Sequence, residues 1–310
     1  MLSRLFIILL FVPFLLWIFL KGDIMFLIFT VVIIGMSLYE FYKMLKNKGY
    51  EVASRIGLGL GIFLPVAIYF QQNSKNIFSY FGINFLKQIN FDMGGFIVFA
   101  VMIFSLRQIL KVKIQGAMAE ISYTVFGVIY VSYLFSYMLL LKYEFPNGNI
   151  LVAMTFILIW ACDISAYLVG IAIGGKIFKK RLSTKISPKK SIEGAIAGII
   201  GVFVVILFFD RIYLAISYFV CQISFFSNTC NVNYDYVAIK GIHAFILALA
   251  VGVFAELGDL VESKIKRELE VKDSGNLLLG HGGFLDRFDS ALFVLPVVYY
   301  FMKYVAYYGN

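Results

Sequence analysis

Long apolar runs limit the folds that are open to this chain more than any other feature of its sequence. Each is close to the length, about 20 residues, at which a helix crosses the hydrocarbon core of a bilayer. The runs are residues 5–20, 24–42, 56–71, 95–111, 121–141, 150–174, 192–209, 239–258 and 288–306. Hydrophobic residues make up 61% of the chain and charged residues only 15%, which is too little polar surface for a soluble domain of 310 residues. Because unbroken apolar runs favour helices over barrels in lipid, we predict an all-α, polytopic integral membrane bundle of about nine transmembrane helices.

Two segments leave the number of crossings open. The first run follows Arg4 as a signal peptide would, but no small-residue cleavage site follows it, so we predict a retained first helix. The aromatic segment 212–226 is either a tenth span or a helix on the membrane surface, and we favour the surface position. We expect one continuous membrane domain, with N-terminal transmembrane helices over 1–120 and a catalytic transmembrane part over 121–310.

Lysine and arginine predict the orientation. They concentrate in the loops after the second, fourth, sixth and eighth runs, and cytoplasmic loops carry such an excess. We therefore predict that these loops, including 175–191 and 259–289, are cytoplasmic, with the N-terminus inside and the C-terminus outside. The net charge of +9 then reflects topology, and anionic lipid and nucleotide phosphate are more probable partners than nucleic acid.

A carboxylate stands inside the sixth run. Asp163 is flanked by apolar residues, and a charge at that depth costs roughly 2.5–3.5 kcal/mol on the insertion scale. It is either a structural hydrogen-bonding residue that faces the bundle or a carboxylate that lines a polar cavity. We favour the cavity.

The basic loop after the sixth run ends in Ser-Pro-Lys-Lys-Ser-Ile-Glu-Gly, residues 187–194. We expect Ser187-Pro188 to begin a turn and Ser191 to cap the next helix. Lys189 and Lys190 would then lie near a helix N-terminus, where anions are favoured, so we predict that they bind phosphate. The earlier cations of this loop, 176–181, are more typical of topogenic charge.

The charged stretch 256–290 is the main candidate site. If the eighth helix continues past Gly258, then Asp259, Ser263 and Lys266 fall at i, i+4 and i+7 on one face, and Arg267 adjoins it. A carboxylate, a hydroxyl and two cations together suit a metal-bound polyphosphate. Carboxylates from two helices, Asp259 and Asp286, could share a metal, and oxygen ligands favour magnesium over zinc.

Glycines and further charges complete this stretch. Lys272-Asp273-Ser-Gly and Gly280-His281-Gly-Gly predict a flexible loop whose backbone approaches a ligand closely. Asp286, Arg287 and Asp289 open the last helix. A solvated connector with ordinary ion pairs is the alternative, but a mere connector has no need of this glycine–histidine core.

The residues from Ser263 to Asp289, S-x-I-K-R-x4-K-D-S-G-x2-L-L-G-H-G-G-F-L-D-R-F-D, resemble the signature of the phosphatidate cytidylyltransferases, also called CDP-diacylglycerol synthases. Gly258-Asp259-Leu, Asp163 and the 187–194 segment resemble the same family. Two positions depart from the family pattern. Leu279 stands where proline is usual, which removes a stiff loop entry, and Ser191 stands where threonine is usual, which keeps the hydroxyl.

The resemblance implies a reaction in which CTP and phosphatidic acid give CDP-diacylglycerol and pyrophosphate. It implies that Asp259 and Asp286 hold Mg²⁺, with a second, monovalent cation left open, and that Ser263, Lys266, Arg267 and Lys190 contact phosphate. It also implies a homodimer in the cell membrane. The residues that it places around the substrates are Asp163, Lys189, Lys190, Glu193, Lys272, Asp273, His281, Arg287 and Asp289.

Two other functions compete with this one. A relative that cytidylylates another lipid phosphate, such as an isoprenoid-ether phosphate, would use the same site. A transporter would use Asp163 as an ion-pathway carboxylate. Against transport, the charges lie at the ends of the runs, away from the midplane, and no inverted repeat is apparent.

Overall fold

The described part of the chain folds mainly into helices. The computed structural model describes residues 14–20, 23–73, 92–178, 181–183, 185–209, 211–212, 214–215, 239, 241–275 and 282–306. In chain order the elements are α1 Ile24–Asn47, α2 Ser54–Gln72, α3 Met93–Ile109, α4 Ala117–Gly127, α5 Leu134–Glu144, α6 Gly148–Ile173, β1 Arg181–Ser183, β2 Ser187–Ser191, α7 Ile192–Leu207, α8 Gly241–Glu268 and α9 Leu285–Phe301. A π-helix, Val128–Tyr133, joins α4 to α5, and another, Met302–Ala306, follows α9.

Apolar helices account for most of the predicted spans. Within the described residues, six helices are long and apolar enough to cross a membrane: α1, α2, the continuous helix Ala117–Glu144, α6, α8 and Leu285–Val305; α3 and α7 are shorter apolar helices. The polytopic helical bundle is therefore confirmed. Of the first run only 14–20 is described, as helix, and most of 212–226 lies outside the described residues. The total of nine crossings stays a prediction.

A small hairpin departs from the all-helical prediction. Strands β1 and β2 pair antiparallel within the basic loop. The turn predicted at Ser187-Pro188 is wrong, because these residues begin β2 and the turn lies at 185–186. A proline is tolerated there because a two-stranded hairpin has outer edges that need no N–H donor. The cap prediction is confirmed, since the Ser191 hydroxyl oxygen accepts a hydrogen bond from the Gly194 N–H at 3.1 Å.

Aromatic packing anchors the start of α9. The Phe288 ring is buried and meets the rings of Phe135, Phe156 and Phe29 edge to face, with centroids 5.5, 6.3 and 6.5 Å away. These three rings come from α5, α6 and α1, so one side chain fixes the N-terminal turn of α9 against three other helices. The packing of Phe288 therefore also fixes the backbone position of its neighbours Arg287 and Asp289.

The loops predicted to share one side of the membrane lie together. Ion pairs connect the loop after α1 to the loop after α3 and to the end of α8, and connect β2 to α8. The pairs are Lys113–Glu51, Lys48–Glu270 at 2.6 Å and Lys190–Asp259 at 2.8 Å. These four loops therefore occupy one face of the bundle, as predicted. That this face is cytoplasmic stays a prediction.

Helices α8 and α9 approach backbone to backbone at Gly258. A Cβ atom there would lie 2.8 Å from the Asp289 carbonyl oxygen and 3.1 Å from Ser290 Cα. Any side chain at this position would push α9 away from α8. Since Asp259 follows Gly258 directly, the crossing also sets the distance between the charged ends of the two helices.

A Gly258→Ala substitution should lower the midpoint of thermal unfolding, because overpacking at a rigid contact costs about 1–3 kcal/mol. The matched control is Gly59→Ala in α2, where no atom lies within 4 Å of a Cβ position. That change should leave the midpoint unchanged or raise it, since alanine is the better helix former. Thermal scans followed by size-exclusion chromatography in detergent provide the measurement, and equal midpoints would contradict the tight crossing.

Candidate active site

Helix α8 presents the predicted face of polar side chains. It runs unbroken from Gly241 to Glu268, so the condition that the helix continues past Gly258 is met. The Ser263 hydroxyl donates to Asp259 Oδ1 at 3.1 Å, as residues one turn apart on a helix can. Lys266 lies a further turn along the same helix, at the buried end of this face.

Lys266 joins α8 to α9. Its Nζ contacts Glu262 one turn back on α8 and Asp286 Oδ1 at 2.6 Å on α9. All three side chains are largely buried, and Glu262 is only 1% exposed. A buried ion pair that loses one partner is strongly destabilised, because the remaining charge is left without water or a counter-ion. This triad therefore fixes the relative position of the two helices.

Both carboxylate oxygens of Asp286 accept hydrogen bonds. Its Oδ1 accepts the bond from Lys266, and its Oδ2 accepts backbone N–H bonds from Ser274 at 2.9 Å and Gly283 at 2.8 Å. The carboxylate therefore ties both described ends of the α8–α9 connection to the first turn of α9. An anionic side chain is also favoured there by the helix dipole.

Lys190 brings the basic loop to α8. Its Nζ lies 2.6 Å from Glu256 Oε2 and 2.8 Å from Asp259 Oδ2. Burial lowers the pKa of Lys190, but the carboxylates of Asp259 and Glu256 raise it by more, so that its pKa lies above that of a free lysine. The same carboxylates that hold Lys190 in place therefore also favour its charged form. The side chain of the neighbouring Lys189 lies outside the described residues.

Asp163 and Asp289 extend the acidic group. Asp163 is exposed on α6 and interacts electrostatically with Lys190, Glu256 and Asp259. Asp289 is half-buried, and its charge interacts with Asp259 and Asp163. Three helices thus bring carboxylates near one another, and the prediction that Asp163 lines a polar cavity stays a prediction.

Glu193 contacts the loop backbone. Its Oε1 accepts N–H bonds from Gly175 at 3.0 Å, Ile177 at 3.0 Å and Phe178 at 2.9 Å. It is 4% exposed. This arrangement favours a role in shaping the start of the basic loop over direct contact with a substrate.

The remaining predicted residues lie at the rim or outside the described part of the chain. Arg267, Lys272, Asp273 and Arg287 are exposed. The Arg267 guanidinium donates to the Val271 carbonyl at 3.4 Å. His281 lies outside the described residues, so its predicted role stays a prediction.

Sequence reasoning missed two buried polar groups. Glu40 on α1 reaches the α8–α9 connection, and Tyr130, in the π-helix, interacts electrostatically with Glu262, Asp289 and Asp259. The Tyr130 hydroxyl is buried and has no hydrogen-bond partner among the described residues. Both lie more than 120 residues away from these partners along the chain, so spacing gave no signal; a π-helix within a longer helix is a local feature common at functional sites.

The carboxylate oxygens of Asp259 and Asp286 are the kind of ligand that magnesium prefers. The two residues form ion pairs with different lysines, Lys190 and Lys266. Like charges on Asp259 and Asp289 face each other, and a hard cation with oxygen ligands would relieve that repulsion. Among the described residues no group of three or more acidic, histidine or cysteine side chains is arranged to hold a metal. At Asp286 a metal would have to compete with Lys266 for Oδ1.

Comparison with known proteins identifies the family. A model of the cytidylyltransferase family matches residues 2–305. The chain belongs to this family. The phosphatidate cytidylyltransferase of Bacillus subtilis (strain 168) is 30% identical over 275 residues, 88% of this chain and 88% of that one. That of Synechocystis sp. is 28% identical over 296 residues, 87% of this chain and 85% of that one, and that of Haemophilus influenzae is 40% identical over 160 residues, 51% and 48%.

Family membership confirms the resemblance drawn from the 263–289 stretch. The protein is therefore a CTP-dependent nucleotidyltransferase, and the family gives no support to the transporter interpretation. The paired lysines and carboxylates on α8, α9 and β2 are therefore the candidate active site of a cytidylyltransferase.

Replacing Lys266 by methionine should destabilise the protein, because Glu262 and Asp286 would remain buried and close together without their cation. Breaking such a buried pair costs about 3–5 kcal/mol. Lys264→Met, an exposed lysine on the same helix, is the matched control and should leave the midpoint of thermal unfolding near that of the unmodified protein. If the two variants unfold at the same temperature, the bridge between α8 and α9 is not structural.

Proposed function

We propose that the chain is a phosphatidate cytidylyltransferase, which converts CTP and phosphatidic acid into CDP-diacylglycerol and pyrophosphate. The observation that carries this proposal is the 30% identity to a phosphatidate cytidylyltransferase over 88% of both chains. The cluster of lysines and carboxylates at the end of an apolar bundle supports it, because a nucleotide from water and a lipid headgroup can meet there.

The proposed reaction needs no protein nucleophile. An oxygen of the lipid phosphate attacks the α-phosphorus of CTP, a new P–O–P bond forms, and the bond to the bridging oxygen of the β-phosphate breaks. Pyrophosphate leaves with that electron pair. Catalysis then consists of positioning the two substrates and neutralising the charge on the phosphates.

Lys190 and Lys266 are the best placed cations for this task. Both Nζ atoms lie within 3 Å of carboxylates on α8 or α9, and both stay in a largely buried setting where charge interactions are strong. We assign them to the triphosphate and the departing pyrophosphate, with Arg267 at the exposed rim. The single O–H of Ser263, which donates to Asp259 in this structure, would turn to donate to a phosphate oxygen when the nucleotide binds.

Asp259 and Asp286 are the residues that we expect to hold Mg²⁺. When bound, the ion would neutralise phosphate charge and make the α-phosphorus more electrophilic. We assign Asp163 and Asp289 to the same acidic pocket, and Lys189, Lys272, Asp273, His281 and Arg287 to its nucleotide and lipid-phosphate rim. A second, monovalent cation and a homodimer stay predictions.

We place the protein in the cell membrane, with the face that carries these loops toward the cytoplasm. The excess of lysine and arginine in the loops of this face supports that orientation. CTP is then supplied from the same side as the site.

The first test is a synthesis assay with purified protein in detergent, labelled CTP, phosphatidic acid and magnesium. We expect labelled CDP-diacylglycerol from the unmodified protein and none after EDTA or with Asp286→Asn. Product from an isoprenoid-ether phosphate, and none from phosphatidic acid, would keep the site and change the substrate. A folded sample that turns over no lipid phosphate would refute the proposal.

Lys190→Gln should lower kcat/KM for CTP roughly 100-fold or more, because a cation that stabilises developing phosphate charge in a buried site is typically worth two or three orders of magnitude. Lys176→Gln is the matched control. Lys176 belongs to the same basic loop, but it is exposed and donates to the Ala172 carbonyl, so activity should be unchanged. Steady-state rates at varied CTP give the measurement, and equal losses for both lysines would show that only the loop charge matters.

A further inference from the structure

A buried carboxylate from the N-terminal part of the chain reaches the candidate active site. Glu40 lies on α1 and is 1% exposed. Its Oε2 accepts a hydrogen bond from the Ser274 hydroxyl at 3.1 Å and another from the Leu285 N–H at 3.0 Å. These partners flank the α8–α9 connection on both sides and lie more than 230 residues further along the chain.

The local backbone is built around this carboxylate. A Cβ atom at Gly275 would overlap Glu40 Oε1, and one at Gly283 would overlap both Ser274 Oγ and Glu40 Oε2. Glycine at both positions lets the backbone pass close to the acid without displacing the Glu40 or Ser274 side chains. Gly283 has no positive φ angle, so close approach and not backbone conformation explains the glycine there.

No cation among the described residues neutralises Glu40. Its two hydrogen-bond donors are a neutral hydroxyl and a backbone N–H at the start of α9, and its Oε1 has no hydrogen-bond partner there. Burying an acidic group with so few partners carries a free-energy cost. The dipole at the start of α9 favours a negative charge and offsets part of that cost.

The bonds of Glu40 lead directly to Asp286. Ser274 donates its hydroxyl to Glu40 and its backbone N–H to Asp286 Oδ2. Leu285, whose N–H is bound by Glu40, is the residue before Asp286. The carboxylates of Glu40 and Asp286 thus accept hydrogen bonds from the same two short segments, one at Ser274 and one at 283–285.

We propose that Glu40 is a positioning residue for the cytidylyl transfer: it holds Ser274 and the first residue of α9 so that Asp286 keeps its orientation toward Lys266 and the phosphates. Glu40 itself does not touch the substrates. The inference deepens the proposed function and rests on it for the choice of substrates.

The test compares Glu40→Ala and Glu40→Gln with Glu120→Ala. Glu120 is an equally buried carboxylate on α4, 2% exposed, that pairs with Arg107 and Lys111 away from the α8–α9 connection. Loss of Glu40 should lower kcat roughly 100-fold, as a misplacement of about 1 Å in a catalytic group does, with little change in KM for CTP. Glu40→Gln keeps an acceptor oxygen and should restore most of kcat, whereas Glu120→Ala should lower thermal stability and leave kcat within about threefold.

Hydrogen–deuterium exchange gives a readout that needs no substrate. In Glu40→Ala the Leu285 amide should exchange faster, and peptides covering 282–288 should lose protection, while Glu120→Ala leaves them unchanged. Unchanged exchange there, or a folded Glu40→Ala protein with normal kcat, overturns the proposal. If Glu40→Ala does not fold, Ser274→Ala removes one of the two bonds and should also speed exchange at Leu285, by less than loss of Glu40 would, because the Leu285 N–H keeps its bond to a less firmly held Glu40; unchanged exchange in Ser274→Ala then overturns the proposal.

The two proposals fail in different ways. If the unmodified protein makes no CDP-diacylglycerol, the proposed substrates are wrong, yet the exchange at Leu285 still tests the role of Glu40 in the fold. If the unmodified protein is active and Glu40→Ala matches it in both rate and exchange, only the positioning role is wrong.

Discussion

The pairing of charges inside an apolar bundle is the constraint on which the rest of the site depends. Burying a carboxylate there carries a large free-energy cost unless a cation or several N–H groups meet it. Helix α8 carries Glu256, Asp259 and Glu262 along one end, and the lysines that meet them are Lys190 from the hairpin and Lys266 from α8 itself. Neutralising these acids therefore also fixes where the basic loop and the hairpin lie.

The same pairs explain how the site could accept a nucleotide. Lys190 forms an ion pair with Asp259, and Lys266 forms one with Asp286. A triphosphate that binds these two lysines would therefore leave the two carboxylates without a cation. A divalent cation that enters with the triphosphate would replace that charge. In the proposed reaction, nucleotide and magnesium would thus favour each other's binding, because each supplies the partner that the other removes.

Local spacing predicted what depends on a single helix. Given that α8 continues past Gly258, the shared face of Asp259 and Ser263 follows from residues four apart, and the Ser191 cap follows from residues three apart. The apolar runs likewise predicted the helices, because length and hydrophobicity are properties of the run itself. Family resemblance, and not spacing, suggested how the separate segments come together.

Contacts between distant segments could not be predicted in this way. The bonds of Lys190, the electrostatic interactions of Tyr130 and the bonds of Glu40 join parts of the chain separated by 66 residues or more. The strand at Ser187-Pro188 was also missed, because a serine–proline pair is typical of turns and only its pairing with β1 makes it a strand.

Glu40 changes how the N-terminal helices should be regarded. The sequence-based division of the chain into 1–120 and 121–310 places all the predicted site residues in the later part, since the charged motifs lie there. Yet α1 supplies the acceptor for the first N–H of α9, its Phe29 contacts Phe288, and Lys48 after it pairs with Glu270. Gly275 and Gly283, at the described ends of the α8–α9 connection, have no side chains with which to hold Asp286. Contacts from other elements must therefore position this candidate site residue, and Glu40 of α1 supplies two of them, to Ser274 and Leu285.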